Sequence, residues 1–191
     1  MTTATTEKIQ KGNFDHVVIA TGSESFLPQV KGINSENVYI STDVLIDEVK
    51  IDKENVTVIG GGLVGCETAL YLANQGKNVT LIEMLEDIML MAEHSVNNDL
   101  SLRHLLAKNN VDIKVNTKLE SIEDGKIVIN NAGTPSEILC DAVVIASGYK
   151  SDHSLSKSLD GIVEYTIIGD NLKARNILDA VHEGFNIART I

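Results

Sequence analysis

Three glycines and one carboxylate give this sequence its clearest chemistry. In VTVIGGGLVGCE, Gly60, Gly62 and Gly65 keep the spacing GxGxxG between an apolar run and a helix-forming run, and Glu83 follows 21 positions after Gly62. The three glycines serve different purposes. Gly60 permits a tight turn, Gly62 lets a pyrophosphate approach bare backbone, and Gly65 lets the helix lie close to the strand. Gly61 adds room. A helix opening at Leu63 and Val64 would aim free N–H groups, carrying about half a positive charge, at the phosphates. A carboxylate at Glu83 accepts hydrogen bonds from the ribose hydroxyls of an adenosine and repels a 2′-phosphate, so the pattern points to NAD(H) over NADP(H). The plain alternative has Glu83 merely ending a strand at the surface.

Neighbouring residues extend the candidate site. Glu67, within the first turns of the helix, would either cap free N–H groups or face the nicotinamide side of the cofactor, and Met84 with Leu85 would flank the adenine or simply pack.

Positioning these groups requires strand, turn, helix and strand in that order. The sequence supplies NVTVIG, the glycine turn, LVGCETALYLANQ closed by Gly76, and NVTLIE, a βαβ unit. The next helix, starting near Ser95 or Asn97, carries Leu102, Leu105 and Leu106 at helical spacing, and VDIKV follows as a third strand. KLESIED, GKIVINN and SEILCD, separated by turn residues, read as an antiparallel meander. After a last strand in IVEYTIIGD, an amphipathic helix carries Ile177, Leu178, Val181, Phe185 and Ala188. FLPQVKGINSENVYISTDVLIDEVK, with Pro28 and Gly32, reads as an extended interdomain crossing rather than a core element.

One strand is spelled twice. DHVVIATGS at 15–23 and DAVVIASGY at 141–149 share six of nine positions at a constant offset of 126. Each is a run of β-branched residues of the kind buried on both faces of a parallel sheet, ending in a small hydroxyl residue and a glycine. Thr21 and Gly22 therefore correspond to Ser147 and Gly148, both placed for close backbone approach. Tyr149 follows at the carboxyl end of a strand, where ligands bind in open α/β sheets, or is an ordinary exposed aromatic. The spacing of the two copies is too long for a solenoid repeat and occurs only twice, so it suggests two related domains rather than an array. The expected fold is α/β: a Rossmann-like parallel sheet with helices and a three-stranded antiparallel meander at 46–150, flanked at 1–45 and 151–191 by pieces of a second dinucleotide-binding domain.

Composition narrows the function. A formal net charge of -11 without clustered Lys or Arg argues against nucleic acid. No apolar run reaches the roughly 18 residues of a membrane span, and the polar MTTATTEKIQ lacks the core of a signal peptide, so a cytoplasmic setting is expected. Cys66 and Cys140 form no CxxC pair, and His16, His94, His104, His153 and His182 show no metal-ligand spacing, so no metal is assigned.

GGGLVGCE with Glu83, followed by a meander and VVIASG, resembles the nicotinamide domain of two-dinucleotide-binding-domain flavoproteins. The wording of DHVVIATG, GGGLVGCE and RNILDAVHEG looks closest to the C-terminal portion of NADH:flavin oxidoreductases of the 2-enoate reductase and 2,4-dienoyl-CoA reductase type. The resemblance implies that Gly169 and Asp170 belong to the returning FAD segment, where the aspartate holds the ribityl chain, and that NADH passes a hydride to FAD. FMN and an iron–sulfur cluster would belong to flavin domains missing from this chain. Nothing before Asp15 offers the first glycine-rich turn for the FAD adenosine, so a fragment without turnover of its own is expected, with no catalytic residue and with self-association a possibility. Two other readings compete: a non-catalytic adenine-nucleotide module, and a complete small disulfide or NADH-oxidase type reductase, against which the absent FAD turn and redox cysteine count.

Overall fold

A computed structural model describes residues 2–90 and 96–191; His94 and the helix start at Ser95 lie outside the described residues. In chain order the elements are α1 (Thr6–Gly12), β1 (Val17–Ile19), β2 (Ser23–Ser25), β3 (Val38–Ile40), α2 (Ser41–Leu45), β4 (Asn55–Ile59), α3 (Leu63–Asn74), β5 (Asn78–Ile82), α4 (Val96–Lys108), β6 (Asp112–Lys114), β7 (Thr117–Glu123), β8 (Lys126–Asn131), β9 (Thr134–Leu139), β10 (Ala142–Ile145), β11 (Tyr149–Ser151), α5 (Ser154–Leu159), β12 (Tyr165–Ile167) and α6 (Ile177–Ile187). Contacts divide the chain into two units, Ser25–Gly148 and Met1–Glu24 with Tyr149–Ile191.

The Ser25–Gly148 unit is built on a five-stranded sheet in the order β3-β10-β4-β5-β6, with every pairing parallel. Strand alternation sorts the β-branched residues onto two faces. Val56, Val58, Leu81, Ala142 and Val144 meet Cys66, Ala69 and Leu72 of α3 and Leu102 and Leu106 of α4. Ile59, Ile82, Val143 and Ile145 meet Leu119, Ile122, Ile127 and Ile129 of the meander β7-β8-β9 on the other side. Because both faces are covered, β10 is apolar throughout and β4 buries Val56, Val58 and Ile59 together with Thr57, and each fully buried Val or Ile adds about 1.5–3 kcal/mol. The α/β fold with a parallel sheet and an antiparallel three-stranded sheet is as the sequence implies.

The segment expected as an extended crossing departs from that reading. Val38, Tyr39 and Ile40 pair with Val143, Val144 and Ile145, making β3 an outer strand of the sheet, and Val44 of α2 is buried in the core. Three residues are too few to show a strand period. The neighbouring β10, not the segment's own pattern, makes it a strand.

In the other unit, Val17, Val18 and Ile19 of β1 pair in parallel with Tyr165, Thr166 and Ile167 of β12. Ile19 is buried with Ile9 of α1 and Leu159 of α5. Val18 is 39% exposed, so the first copy of the repeated strand is not buried on both faces as its composition implies. The reason is local: this sheet has two strands, and among the described residues its apolar cluster covers one side only. The α6 helix forms as expected, capped by Asn176, whose side chain accepts from the Asp179 amide. Its Ile177, Leu178, Val181 and Phe185 are all exposed.

Candidate dinucleotide site

The carboxyl ends of β4, β5 and β10 bring the glycine turn, Glu83 and Ser147 to one edge of the sheet. Gly60 has φ +107°, and a Cβ there would stand 2.5 Å from the Ala146 carbonyl oxygen and 3.3 Å from Ser147 Cα, so both backbone shape and neighbour demand glycine. A Cβ on Gly65 would overlap the Gly60 carbonyl oxygen, which is why α3 lies so close to the end of β4. A Cβ on Gly61 would stand 2.9 Å from both Glu83 Cβ and Ile88 Cγ2. Gly62 differs from all three. It has φ −67°, is exposed, and a Cβ there would meet nothing within 4 Å. Protein packing therefore does not explain a glycine at 62.

Gly62 is the N-cap of α3 and provides no side-chain hydrogen bond, and the first turn holds no acidic residue. The free amide groups of the helix start remain available to an anion. Glu67 lies one turn too far in to cap them and is exposed. Leu63 and Val64 are half-buried in the first turn.

Glu83 is buried, at 9% exposure, and does not merely end a strand at the surface. One carboxylate oxygen accepts from the Gly61 amide at 2.6 Å and the other from the Leu85 amide at 2.8 Å. Each oxygen keeps acceptor capacity beyond these bonds, since a carboxylate offers about four lone-pair sites. Met84 beside it is 67% exposed, and Leu85 is 37% exposed.

Ile88 and Met89 pack against the turn in a way the sequence did not announce. The Met89 amide donates to the Gly61 carbonyl at 2.7 Å, and Cys66 Sγ donates to the same oxygen at 3.5 Å. Burial pushes the Cys66 thiol up to about 12, against a smaller opposing pull from Arg103. Arg103 of α4 donates from Nη1 to Asp87 at 2.8 Å, from Nη2 to the Ile88 carbonyl at 2.8 Å, and from Nε to Asp99. The Arg103 hydrogen bond holds the Asp87 carboxyl below its usual range, and the two aspartates raise the guanidinium further. Asp99 and Arg103 stand four apart on a helix and are readable as an ion pair from sequence; the reach to Asp87 and Ile88 is not.

Of the remaining expected residues, Gly148 is exposed with φ +93°, and Tyr149 is 40% exposed. In the Met1–Glu24 and Tyr149–Ile191 unit, a cleft of about 370 Å³ is lined by Gly22, Gly169, Asp170, Arg175 and Asn176 among others. Thr21 is exposed, and Gly22 (φ +82°) and Gly169 (φ +62°) both hold backbone conformations suited to glycine. Asp170 accepts from Ser23 Oγ at 3.2 Å and from the Arg175 amide at 3.2 Å. A larger cleft of about 890 Å³, between Lys31, Lys53, Asp124 and Asp141, opens at the amino ends of the parallel strands of the other unit, away from the glycine turn.

A parallel sheet covered on both faces, a glycine turn opening a helix and a buried acid at the end of the next strand define a Rossmann-type dinucleotide-binding protein. Residues 2–166 match the pyridine nucleotide-disulphide oxidoreductase family. The chain belongs to that family, a family of NAD(P)H-dependent flavoprotein oxidoreductases. It is 37% identical to the cinnamate reductase of Clostridium sporogenes over 98% of this chain and 28% of that protein. It is 38% identical to an NADH oxidase of Thermoanaerobacter brockii over 97% of this chain and 29% of that protein. The structure of a 2-naphthoyl-CoA reductase superimposes with a TM-score of 0.84 at 34% identity, over 95% of this chain and 28% of that one. The chain thus spans less than a third of the length of these relatives. Among the described residues, no helix is long and apolar enough to cross a membrane.

Proposed function

We propose that this chain is the nicotinamide-dinucleotide-binding portion of an NADH:flavin oxidoreductase of enoate-reductase type, and that it presents NADH to FAD. The observation that carries this reading is Gly62, an exposed glycine with ordinary backbone angles and an open Cβ direction, set at an uncapped helix N-terminus. Gly60 to Gly65 would receive the pyrophosphate and Glu83 the adenosine ribose, with Met84 beside the adenine and Ser147, Gly148 and Tyr149 toward the nicotinamide. Thr21, Gly22, Gly169 and Asp170 would meet FAD. When bound, the two cofactors supply the hydride donor and its acceptor. The chain's own residues bind and orient, and none is assigned to acid–base work. The chemistry downstream of FAD, through FMN and an iron–sulfur centre to an unsaturated substrate, would fall to other domains of a longer parent.

Calorimetric titration of the 191-residue chain with NADH, NADPH and ADP in one buffer tests the reading. NADH binding more tightly than both others is the expected result. ADP binding as tightly as NADH would replace it with an adenine-nucleotide module, and absence of binding by all three would overturn it for this chain.

A further inference from the structure

The peptide between Gly61 and Gly62 is held from one side. Its carbonyl oxygen accepts from the Met89 amide at 2.7 Å and from Cys66 Sγ at 3.5 Å, both on the protein side of the turn. In a trans peptide the N–H points opposite to the C=O, and every described peptide is trans. Fixing the Gly61 carbonyl inward therefore fixes the Gly62 N–H on the opposite side of that peptide, at an exposed residue. The Met89 amide is a lever on the donor that faces the ligand.

Met89 holds that lever in an unfavourable backbone state. Its φ is +58°, a left-handed conformation that a non-glycine residue keeps only when its surroundings impose it. The imposing groups are identifiable. Immediately before Met89, the Ile88 carbonyl accepts from Arg103 Nη2 at 2.8 Å, and Asp87 accepts from Arg103 Nη1 at 2.8 Å while its Oδ1 also accepts from the Ile88 amide. The guanidinium fork thus grips two successive residues, and Asp99 steadies it from within α4. Glu83 grips the other side of the same turn through the Gly61 amide.

We propose that Arg103, outside the glycine motif and 20 positions beyond Glu83, is a positioning residue for the nucleotide site: through Asp87, Ile88 and the Met89 amide it sets the direction of the Gly62 N–H. The proposal rests on the nucleotide reading given above. A point charge such as lysine cannot grip both the carboxylate and the carbonyl in one plane, so the fork itself is required.

The test compares wild type with Arg103→Met, Arg103→Lys and Asp87→Asn, the last being a half-exposed loop position that leaves α4 intact. NADH affinity is measured by calorimetry and amide exchange by NMR. All three variants are expected to speed exchange of the Met89 amide while leaving the β4–β5 ladder protected, and Arg103→Met is expected to bind NADH about ten-fold more weakly. Unchanged NADH affinity, unchanged Met89 exchange, or protection lost equally across the β4–β5 ladder would each overturn the proposal, the last because it reveals a merely structural role. Should wild type bind no NADH, the nucleotide reading fails, and the Met89 exchange rates alone still decide whether Arg103 braces the turn.

Discussion

Glu83 Oε2 lies 2.6 Å from the Gly61 amide nitrogen, so the acid that ends β5 and the turn that ends β4 hold each other without any nucleotide. This bond shapes the turn, and on the proposed reading the same carboxylate also offers lone pairs to a ribose. Glu83→Gln separates the two roles. The amide keeps the side-chain volume but has one acceptor oxygen for two backbone donors, Gly61 and Leu85, leaving one of them unpaired at a cost of about 1–3 kcal/mol. Loss of the charge should also relax discrimination against NADPH. Denaturant unfolding and paired NADH and NADPH titrations check both effects; an unchanged cofactor preference refutes the ribose role while leaving the structural one standing.

The glycines of the turn divide by what a methyl group would meet. Gly65→Ala drives a Cβ into the Gly60 carbonyl oxygen, an overlap with backbone that should cost about 3 kcal/mol or more in stability. Gly62→Ala meets open space at an allowed φ, so stability should change by less than about 1 kcal/mol while NADH affinity falls. Thermal melting and calorimetry of the two variants give opposite patterns if the turn receives a phosphate. A Gly62→Ala protein that keeps full NADH affinity would show that the ligand does not approach there.

The parts of this arrangement that sequence conveys are those encoded in single segments. β4, the turn, α3 and β5 each carry their own period or spacing, and all form where expected. The meander is equally legible, because Asp124-Gly125 and the Ala132 to Pro135 stretch punctuate it. β3 is not, being three residues whose strand character comes from pairing with β10. Short α1 and α5 likewise pass unnoticed: Thr6–Gly12 carries a single buried apolar residue, Ile9, too little for a periodic face. The left-handed Met89 is invisible for a stronger reason. A methionine has no local preference for that state, and only the Arg103 and Gly61 contacts, 14 positions after and 28 before it, impose it.

Cys66 should be chemically silent. It is fully buried on α3, donates to the Gly61 carbonyl, and its thiol is pushed up to about 12, so the reactive thiolate is scarce at pH 8. Burial also raises Cys140. Neither cysteine should react with a maleimide or a disulfide reagent in the native chain, and both should react after unfolding in guanidinium. Rapid native labelling at either position, read by mass spectrometry, would contradict the burial that places Cys66 against the turn.

Glu183 makes acid sensitivity a local property of the other unit. Arg175, and then the Gly169 amide at 2.6 Å, hold its carboxyl below the ordinary value of 4.5. The folded value lies below the unfolded one, so as pH falls the unfolded chain takes up the proton first. The stabilisation is therefore fully present above the unfolded value and is lost as pH drops through the folded one. Glu183→Gln removes the titrating group while keeping its size. The melting temperature of wild type should exceed that of the variant at pH 7, and the gap should close as the pH is lowered below about 4. A gap that stays constant from pH 7 to pH 3 would mean that the carboxylate contributes through packing rather than charge.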